Sequence, residues 1–297
     1  MFNGLCTALV TPFCSSTVDI DSLKKLLDYQ ISAGVDSFLV LGTTGEAPTI
    51  SDSERDIIIK YVVKHVAGSA KVMVGASSNS TAQVVKYAKQ AKSLGADCIL
   101  VSAPYYNKPT QSGILAHYQT ICQSTDIPII IYNIPGRAAV NISDETIAQI
   151  ASLKNVIGIK DATGDISRPL ALATLLEKSG NSNFMQLTGN DDNAVAFNVH
   201  GGQGCISVTA NIAPKLCKRV QELTASGKYV EALLLQRKLL ELHNAMFCET
   251  NPAPIKYAAY SLDLIESSEL RLPLVQISEQ SQRTILNAIH SIGDDLC

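Results

Sequence analysis

Short apolar runs alternate with longer amphipathic segments through the first three quarters of the chain. The runs that predict strands are Leu5–Val10, Ser37–Leu41, Lys71–Gly75, Cys98–Ser102, Pro128–Asn133, Val156–Lys160, Phe184–Gly189 and Gly204–Val208. Most of these runs are apolar on both faces, which is typical of parallel strands covered by helices on both sides. Between them apolar residues recur at helical spacing, as at Leu23, Leu26 and Leu27, and Ser51–Glu54 has the spacing of a capping box.

The number and spacing of these strand–helix units predict a closed barrel. Successive strands begin roughly 20–35 residues apart, which is the length of one such unit. Eight units in a row favour an α/β fold of the (β/α)8 TIM barrel class over an open doubly wound sheet. A dinucleotide-binding sheet would carry a glycine-rich turn after its first strand, where this chain has Thr11-Pro12-Phe13.

The strand pattern stops before the last quarter of the chain. Tyr229–Met246 and Ile277–Ile292 have helical spacing, and Asn251–Pro254 predicts a break between them. We therefore expect a barrel over residues 1–225 and a C-terminal helical domain over residues 226–297.

Composition and charge exclude several classes of protein. The chain has 297 residues, of which 46% are hydrophobic and 17% are charged, so it has enough apolar surface to form a folded core. Its net charge of -3 and its lack of tryptophan argue against a nucleic-acid partner. No run approaches the roughly 20 apolar residues of a membrane span. The eight cysteines contain no C-x-x-C pair, so we expect reduced thiols, no membrane association and a cytoplasmic location.

The most informative single residue is Lys160. The active sites of barrel enzymes lie at the carboxyl ends of the strands, and Lys160 follows the apolar stretch Val156–Ile159 into the mouth of the barrel. Loss of water there disfavours the ammonium form and favours an amine that attacks a carbonyl group. An ion pair with Asp161 or another carboxylate explains the position equally well, and the residues alone leave both interpretations open.

Other strand ends supply groups that a nucleophilic amine needs. Tyr132 ends the neighbouring strand and could carry protons during imine formation, with the Thr44 hydroxyl as a relay, although a tyrosine here is more commonly a core or rim residue. Gly42–Gly45 is a tight turn whose backbone N–H groups suit a substrate carboxylate. Arg137 could bind a second carboxylate through two hydrogen bonds, or form a surface ion pair.

Other chemistries find less support in the sequence. The five histidines have neither zinc-site spacing nor cysteine companions, so we expect no metal and no cofactor. Gly201–Gly204 could cradle a phosphate or simply allow a tight turn into the last strand, and both interpretations stay open.

Several ordered motifs resemble one enzyme family over nearly the whole chain. They are Gly42–Glu46, Pro104–Asn107, Tyr132–Arg137, Gly158–Gly164 and Gly204–Asn211, together with Asn251–Lys256 and Leu270–Pro273 in the tail. As a set at matching spacing they resemble the dihydrodipicolinate synthase family of the pyruvate-dependent class I aldolases. Such a set is far more specific than any of its members.

This resemblance implies a Schiff-base mechanism. Lys160 would form an imine with pyruvate, and Tyr132 would donate and accept protons, linked through Thr44 to Tyr106. In the family the residue at the position of Tyr106 reaches in from a neighbouring subunit. The resemblance therefore implies that the protein is an oligomer, a homotetramer built as a dimer of dimers.

The resemblance also implies the substrates. The residues that would border pyruvate are Thr43, Thr44, Gly189 and Ile206. Arg137 would hold the carboxylate of L-aspartate 4-semialdehyde, and a lyase reaction would condense the two substrates to 4-hydroxy-tetrahydrodipicolinate. This is the first committed step of diaminopimelate and lysine biosynthesis.

Three alternatives to this activity remain. One is a pyruvate-dependent lyase or aldolase that acts on N-acetylneuraminate or on a 2-keto-3-deoxy sugar acid, although sialic acid lyases generally lack the arginine found here at Arg137. A phosphate-binding barrel isomerase that uses Gly201–Gly204 is less favoured. A catalytically inactive paralogue would be expected to have lost Lys160 or Tyr132, and both are present.

The resemblance also bears on regulation. Feedback-inhibited members of the family bind lysine between subunits, and this chain keeps Asn79 and Tyr105 of that site. Its other positions carry Ala47-Pro48, Asp52, Arg55 and Gln83. Arg55 in place of a histidine and Gln83 in place of a carboxylate both disfavour a cationic ligand, so we expect weak or absent inhibition by lysine.

Overall fold

Eight parallel strands close into a barrel in the computed structural model, which describes residues 2–296. The barrel strands are β1 Gly4–Ala8, β4 Ser37–Val40, β5 Lys71–Gly75, β6 Cys98–Ser102, β7 Ile129–Asn133, β8 Val156–Asp161, β9 Met185–Thr188 and β10 Gly204–Ser207. The predicted (β/α)8 barrel is therefore confirmed. A short antiparallel hairpin, β2 Phe13–Cys14 and β3 Thr17–Val18, follows β1 and was not predicted. Met1 and Cys297, the ends of the two expected domains, lie outside the described residues.

The strands pair in chain order, and β1 closes the ring. It pairs with β4 on one side and with β10 on the other, where Gly4 lies opposite Gly204. β7 and β8 pair so that Tyr132 lies opposite Lys160. Because opposite residues of paired strands point to the same face of the sheet, this register alone brings the two side chains together.

Helices cover the outside of the barrel. They are α1 Ile20–Ser32, α2 Asp52–Val66, α3 Thr81–Ser93, α4 Gln111–Ser124, α5 Pro135–Ala138, α6 Asp144–Ala151, α7 Arg168–Lys178, α8 Ala194–Val199 and α9 Pro214–Ala225. Ser51 and Glu54 form the predicted capping box at α2, and the Asp19 carboxylate accepts a hydrogen bond from the Ser22 N–H at α1. The apolar faces of the helices join those of the strands in one continuous core.

The C-terminal extension is helical, as predicted. Its helices are α10 Tyr229–Ala245, α11 Ala253–Ser261 and α12 Glu279–Ile292, and α12 packs against both of the others. The expected break over Asn251–Pro254 is partly wrong, because α11 begins at Ala253, directly after the cis peptide bond between Asn251 and Pro252. Proline is tolerated in the first turn of a helix, where its missing N–H would have no helical partner, so Pro254 lies within a helix here.

The cysteines of the described chain behave as small apolar residues. All seven of them are free thiols. Burial raises the pKa of Cys98 and Cys205 well above the usual range, because it disfavours the thiolate. Within residues 2–296, no helix combines the length and the apolar character needed to cross a membrane.

Candidate active site

A cavity of about 410 Å³ opens at the carboxyl ends of the barrel strands. The predicted site residues that line it are Thr43, Thr44, Tyr132, Arg137, Lys160 and Gly189. They come from the ends of β7 and β8 and from the segments that follow β4, β7 and β9. Parts of the chain that are far apart in sequence therefore supply one space, as the barrel architecture requires of an active site.

Lys160 is buried near the end of β8, away from the acidic side chains of the described chain. The residue is 6% exposed, and its Nζ lies 4.5 Å from the ring centroid of Tyr132. Among the described residues no carboxylate lies within ion-pair distance of this amine, and the nearby Asp161 pairs with Arg168 instead. The ion-pair interpretation that the sequence left open is therefore not what the structure contains. A buried amine with no counter-ion, next to a phenol, is suited to attack a carbonyl carbon.

Asp161 is held away from Lys160 by its own partners. Its Oδ2 lies 3.5 Å from Nη1 of Arg168, and its Oδ1 accepts hydrogen bonds from N and Oγ1 of Thr163 at 2.8 and 2.6 Å. Arg168 also donates from Nε to Oδ1 of Asp144 at 2.6 Å. Burial raises the pKa of Asp161 because it disfavours the carboxylate, while the bonds from Thr163 act in the opposite direction. Consecutive residues of a strand point to opposite faces, which separates the carboxylate from the lysine.

The turn after β4 carries the two threonines. The Gly42 carbonyl accepts a hydrogen bond from the Gly45 N–H, and Glu46 takes a left-handed conformation with φ of 53°. Thr44 is 3% exposed and Thr43 is half-buried, and both line the cavity. The turn therefore presents the two threonines to whatever occupies the cavity, while the N–H groups of Gly45 and Glu46 are bonded within the turn.

A buried ion pair anchors this turn to the C-terminal extension. Nζ of Lys256 lies 2.7 Å from Oε1 of Glu46, and the two side chains are 0% and 1% exposed. Lys256 also donates to the Glu269 carbonyl, and Oε2 of Glu46 accepts the Arg271 N–H. The Phe13 ring contacts both cations, at 3.9 Å from Lys256 Nζ and 4.3 Å from Arg271 Cζ. Burial lowers the pKa of Lys256 to about 8, although Glu46 opposes this effect. We call these five residues the Glu46–Lys256 clasp.

Asn251 connects the extension to two further site residues. It lies just before α11, is 5% exposed and lines the cavity. Its Nδ2 donates a hydrogen bond to Oγ1 of Thr44 at 3.0 Å, and its backbone carbonyl accepts one from Nη2 of Arg137 at 3.1 Å. The sequence suggested a break at this position and placed it in a motif shared with the family, but it gave no signal of a contact with residues so distant in the chain.

Gly189 leaves room for the lysine. A Cβ atom at this position would lie 2.8 Å from Cε of Lys160 and 2.9 Å from Cβ of Ala162. Both distances are shorter than side-chain carbons adopt, so any larger residue would displace the Lys160 side chain.

Of the predicted residues, Arg137 reaches the edge of this cavity, whereas Tyr106 and Ile206 do not line it. Arg137 lies at its rim with an exposed side chain. Tyr106 is 87% exposed with a left-handed φ of 75° and lies outside the cavity lining. Ile206 is fully buried inside β10, between the two strands with which it pairs. The structure of one chain therefore does not bring Tyr106 to Tyr132.

Asp191 is a buried residue of the cavity wall that the sequence did not single out. It is 4% exposed, and its Oδ2 accepts the N–H groups of Val208 and Thr209 at 2.8 and 3.3 Å. Its Oδ1 accepts the Ser207 hydroxyl. The only sequence signal was its place just after β9, and its role here is to fix the end of β10.

The glycine-rich segment before β10 lies at the wrong end of the barrel for a phosphate site. It precedes the strand, whereas phosphate sites of barrels lie at the carboxyl ends. A Cβ at Gly202 would lie 2.3 Å from the Phe197 ring, and one at Gly204 would lie 2.3 Å from the Gly4 carbonyl oxygen. Close packing therefore explains these glycines.

A larger cavity of about 570 Å³ opens at the amino ends of the strands, beside Phe2 and Met185. Its charged residues, Lys71 and Asp97, pair with each other at 2.9 Å. Nowhere in residues 2–296 are three His, Cys, Asp or Glu side chains grouped as metal ligands would be. The chemically equipped cavity is therefore the smaller one, which contains Lys160.

The sequence matches the dihydrodipicolinate synthetase family over residues 1–292. Among its relatives, 4-hydroxy-tetrahydrodipicolinate synthase from Parvibaculum lavamentivorans is 46% identical over 293 residues, which is 99% of both chains. The enzyme of the same name from Roseobacter denitrificans is 45% identical, also over 99% of both chains.

Solved structures of similar sequence have the same fold. Dihydrodipicolinate synthase from Thermotoga maritima superposes with a TM-score of 0.96 at 43% identity and 99% coverage of both chains. The chloride-inhibited enzyme from Acinetobacter baumannii, solved in complex with pyruvate, gives 0.95 at 39% identity, with the same coverage. On the strength of its sequence, its fold and the side chains at its barrel mouth, this chain belongs to the dihydrodipicolinate synthetase family.

Proposed function

We propose that this protein is a 4-hydroxy-tetrahydrodipicolinate synthase, a lyase that condenses pyruvate with L-aspartate 4-semialdehyde. The observation that carries the proposal is the buried Lys160 amine, which has no acidic partner in the described chain and lies 4.5 Å from the Tyr132 ring centroid. The relatives that bear this name are similar over nearly the whole chain. The reaction is the first committed step of diaminopimelate and lysine biosynthesis.

Pyruvate is captured first. The lone pair of Lys160 Nζ attacks the ketone carbon, the oxygen is protonated, and loss of water leaves a protonated imine. The imine withdraws electrons from the neighbouring methyl group, which loses a proton and gives an enamine. Thr43 and Thr44 line the same cavity, and their hydroxyls and backbone N–H groups are suited to the carboxylate of the keto acid.

Tyr132 is the proton carrier in this scheme, because its ring contacts the reacting amine. The family resemblance suggests Thr44 as its link to a second tyrosine. The contacts of the two hydroxyls favour Thr43 as that link, since the Thr44 oxygen already accepts a bond from Asn251. The Thr43 hydroxyl has no hydrogen-bond partner within the described chain, which leaves it free to pass a proton.

The second substrate is bound at the rim. The Arg137 guanidinium forms parallel hydrogen bonds with a carboxylate, which suits the acid group of aspartate semialdehyde. The enamine carbon attacks the aldehyde carbon, whose oxygen is protonated. The amine of the same substrate then attacks the imine carbon, which closes the ring and releases Lys160 as a free amine. A sugar-acid lyase would need hydroxyl-binding groups at the rim in place of this arginine.

The site requires a second copy of the chain to be complete. Tyr106 is 87% exposed and is held in a left-handed conformation outside its own cavity, which is consistent with insertion into the site of a partner. We therefore propose a homotetramer built from two dimers. The seven free thiols within residues 2–296 favour the reducing cytoplasm.

Reductive trapping tests this function directly. Borohydride reduction in the presence of pyruvate should leave a pyruvyl adduct on the peptide that contains Lys160, found by mass spectrometry. Lys160→Ala should form no adduct. Lys154→Ala is the matched control, because it removes an exposed lysine that lies just before the start of β8. This variant should react like the wild type. An adduct at another lysine, or none in the wild type, would refute the assignment.

The choice of acceptor separates the synthase from a sugar-acid lyase. The wild type should turn over aspartate semialdehyde and should not use N-acetylmannosamine. Arg137→Ala should raise the KM for aspartate semialdehyde by one to two orders of magnitude, about 2 kcal/mol for a lost charge-assisted pair. It should leave adduct formation with pyruvate alone unchanged.

A further inference from the structure

Asn251 touches both substrate-binding regions of the cavity, although it belongs to the C-terminal extension. Its side-chain Nδ2 donates to the Thr44 hydroxyl oxygen at 3.0 Å, and its main-chain carbonyl accepts from Arg137 at 3.1 Å. A single residue therefore contacts the turn that faces the keto acid and the arginine that faces the aldehyde substrate.

The amide of Asn251 uses only one of its two polar ends. Its Oδ1 is buried and accepts no hydrogen bond from any residue between 2 and 296. A buried carbonyl oxygen without a partner is unfavourable for folding. Packing alone would be satisfied by an apolar side chain of similar size, so the amide is not explained by stability.

The hydrogen bond constrains the proton of Thr44. A hydroxyl group has one proton, and when its oxygen accepts a bond from an amide N–H that proton points elsewhere. Thr44 is 3% exposed and lines the cavity, so few partners compete for the proton. This hydroxyl donates to no residue of the described chain, so its proton is available to the occupant of the cavity.

We propose that Asn251 is a positioning residue that orients the Thr44 hydroxyl as a hydrogen-bond donor to the carboxylate of the bound keto acid. This inference rests on the proposed function. Asn251 itself takes no part in bond formation. It acts through Thr44 alone.

The two contacts of Asn251 are separable by mutation. The bond to Arg137 comes from the main chain and remains in any side-chain variant. Asn251→Ala therefore removes the contact with Thr44 alone. We expect it to raise the KM for pyruvate by about fivefold, the equivalent of one net hydrogen bond of about 1 kcal/mol. The kcat and the KM for aspartate semialdehyde should stay within about twofold of the wild type.

A double-mutant cycle shows whether Asn251 acts through Thr44. Thr44→Val removes the hydroxyl, and in that background Asn251→Ala should raise the KM for pyruvate no further. Glu249→Gln is the matched control, because Glu249 lies outside the cavity lining and holds the same segment through its hydrogen bonds with Ser278. It should leave both KM values unchanged.

The outcomes distinguish this inference from the proposed function. If the wild type forms the pyruvyl adduct on Lys160 while Asn251→Ala keeps the wild-type KM for pyruvate, the inference is wrong and the function stands. Additive effects in the cycle, or equal changes in both KM values, would also overturn it. If the wild type forms no adduct, the function and the inference fail together.

Discussion

Replacing Lys256 by methionine removes the ammonium group that faces Glu46 in the clasp and leaves a carboxylate buried. Both side chains are at most 1% exposed, so water cannot take the place of the missing partner. Removal of one member of a buried ion pair costs about 3–5 kcal/mol, because the remaining charge is unsolvated. Lys256→Met should therefore be severely destabilised, although methionine fills much of the same space.

The expected shift in melting temperature follows from the size of the chain. At about 2.1 cal/mol/K per residue, the 297 residues give an unfolding entropy near 0.6 kcal/mol/K. A loss of about 3–5 kcal/mol then lowers Tm by about 5–8 °C. Circular dichroism is the suitable probe because the chain has no tryptophan, and all variants should be compared at one protein concentration.

Two further variants isolate the buried charge as the cause. Adding Glu46→Gln to Lys256→Met removes the unpaired carboxylate, and this double variant should recover at least half of the lost stability. Lys86→Met is the matched control, since its pair with Asp52 is more than half exposed and should be worth under about 1 kcal/mol. The reasoning is refuted if Lys256→Met melts within about 2 °C of the wild type, or if the double variant is no more stable than Lys256→Met.

Three other predictions concern stability at acid pH, the space around the Lys160 side chain and inhibition by free lysine. Burial lowers the pKa of His117 to about 4, whereas the unfolded side chain titrates near 6.5. The unfolded state therefore binds the proton first, and the free energy of unfolding should fall by about 3 kcal/mol between pH 6.5 and pH 4. Urea unfolding of His117→Gln should show a smaller fall over the same range. Gly189→Ala should slow adduct formation at least tenfold by displacing Lys160, with Gly136→Ala, which meets no atom within 4 Å, as control. Sub-millimolar lysine should not inhibit the enzyme, since the buried Arg55 guanidinium lies 3.9 Å from the Tyr87 ring and donates to Gly75; inhibition in a steady-state assay would contradict this.

The barrel could be predicted from the sequence because its strands carry an unusually clear signal. Parallel strands that are buried on both faces must be apolar at nearly every position, so runs such as Ile129–Asn133 and Val156–Asp161 stand out from the helices between them. The ends of such runs fix the positions of Tyr132 and Lys160, and the barrel architecture then places both at one end.

Contacts between distant segments could not be predicted in the same way. The partner that holds Asp161 is Arg168, which lies on a later helix, and no local pattern links the two. The contacts of Asn251 depend on how the extension packs against the barrel, and no local pattern encodes that packing. The hairpin of two-residue strands is too short for periodicity to show. The domain division at residue 225 and the partner subunit's place in the site stay predictions.

The pairing of β1 with β10 has a consequence for how the protein is made. Gly4 and Gly204 lie opposite each other, so the first strand to leave the ribosome has to wait for the last. At about 5–20 residues per second, translation of the intervening chain takes roughly 10–40 s. Throughout that interval one edge of β1 has unpaired main-chain groups, which are able to pair with other nascent chains. Solubility during synthesis therefore depends on how the unfinished cylinder is shielded, by its own early helices or by chaperones.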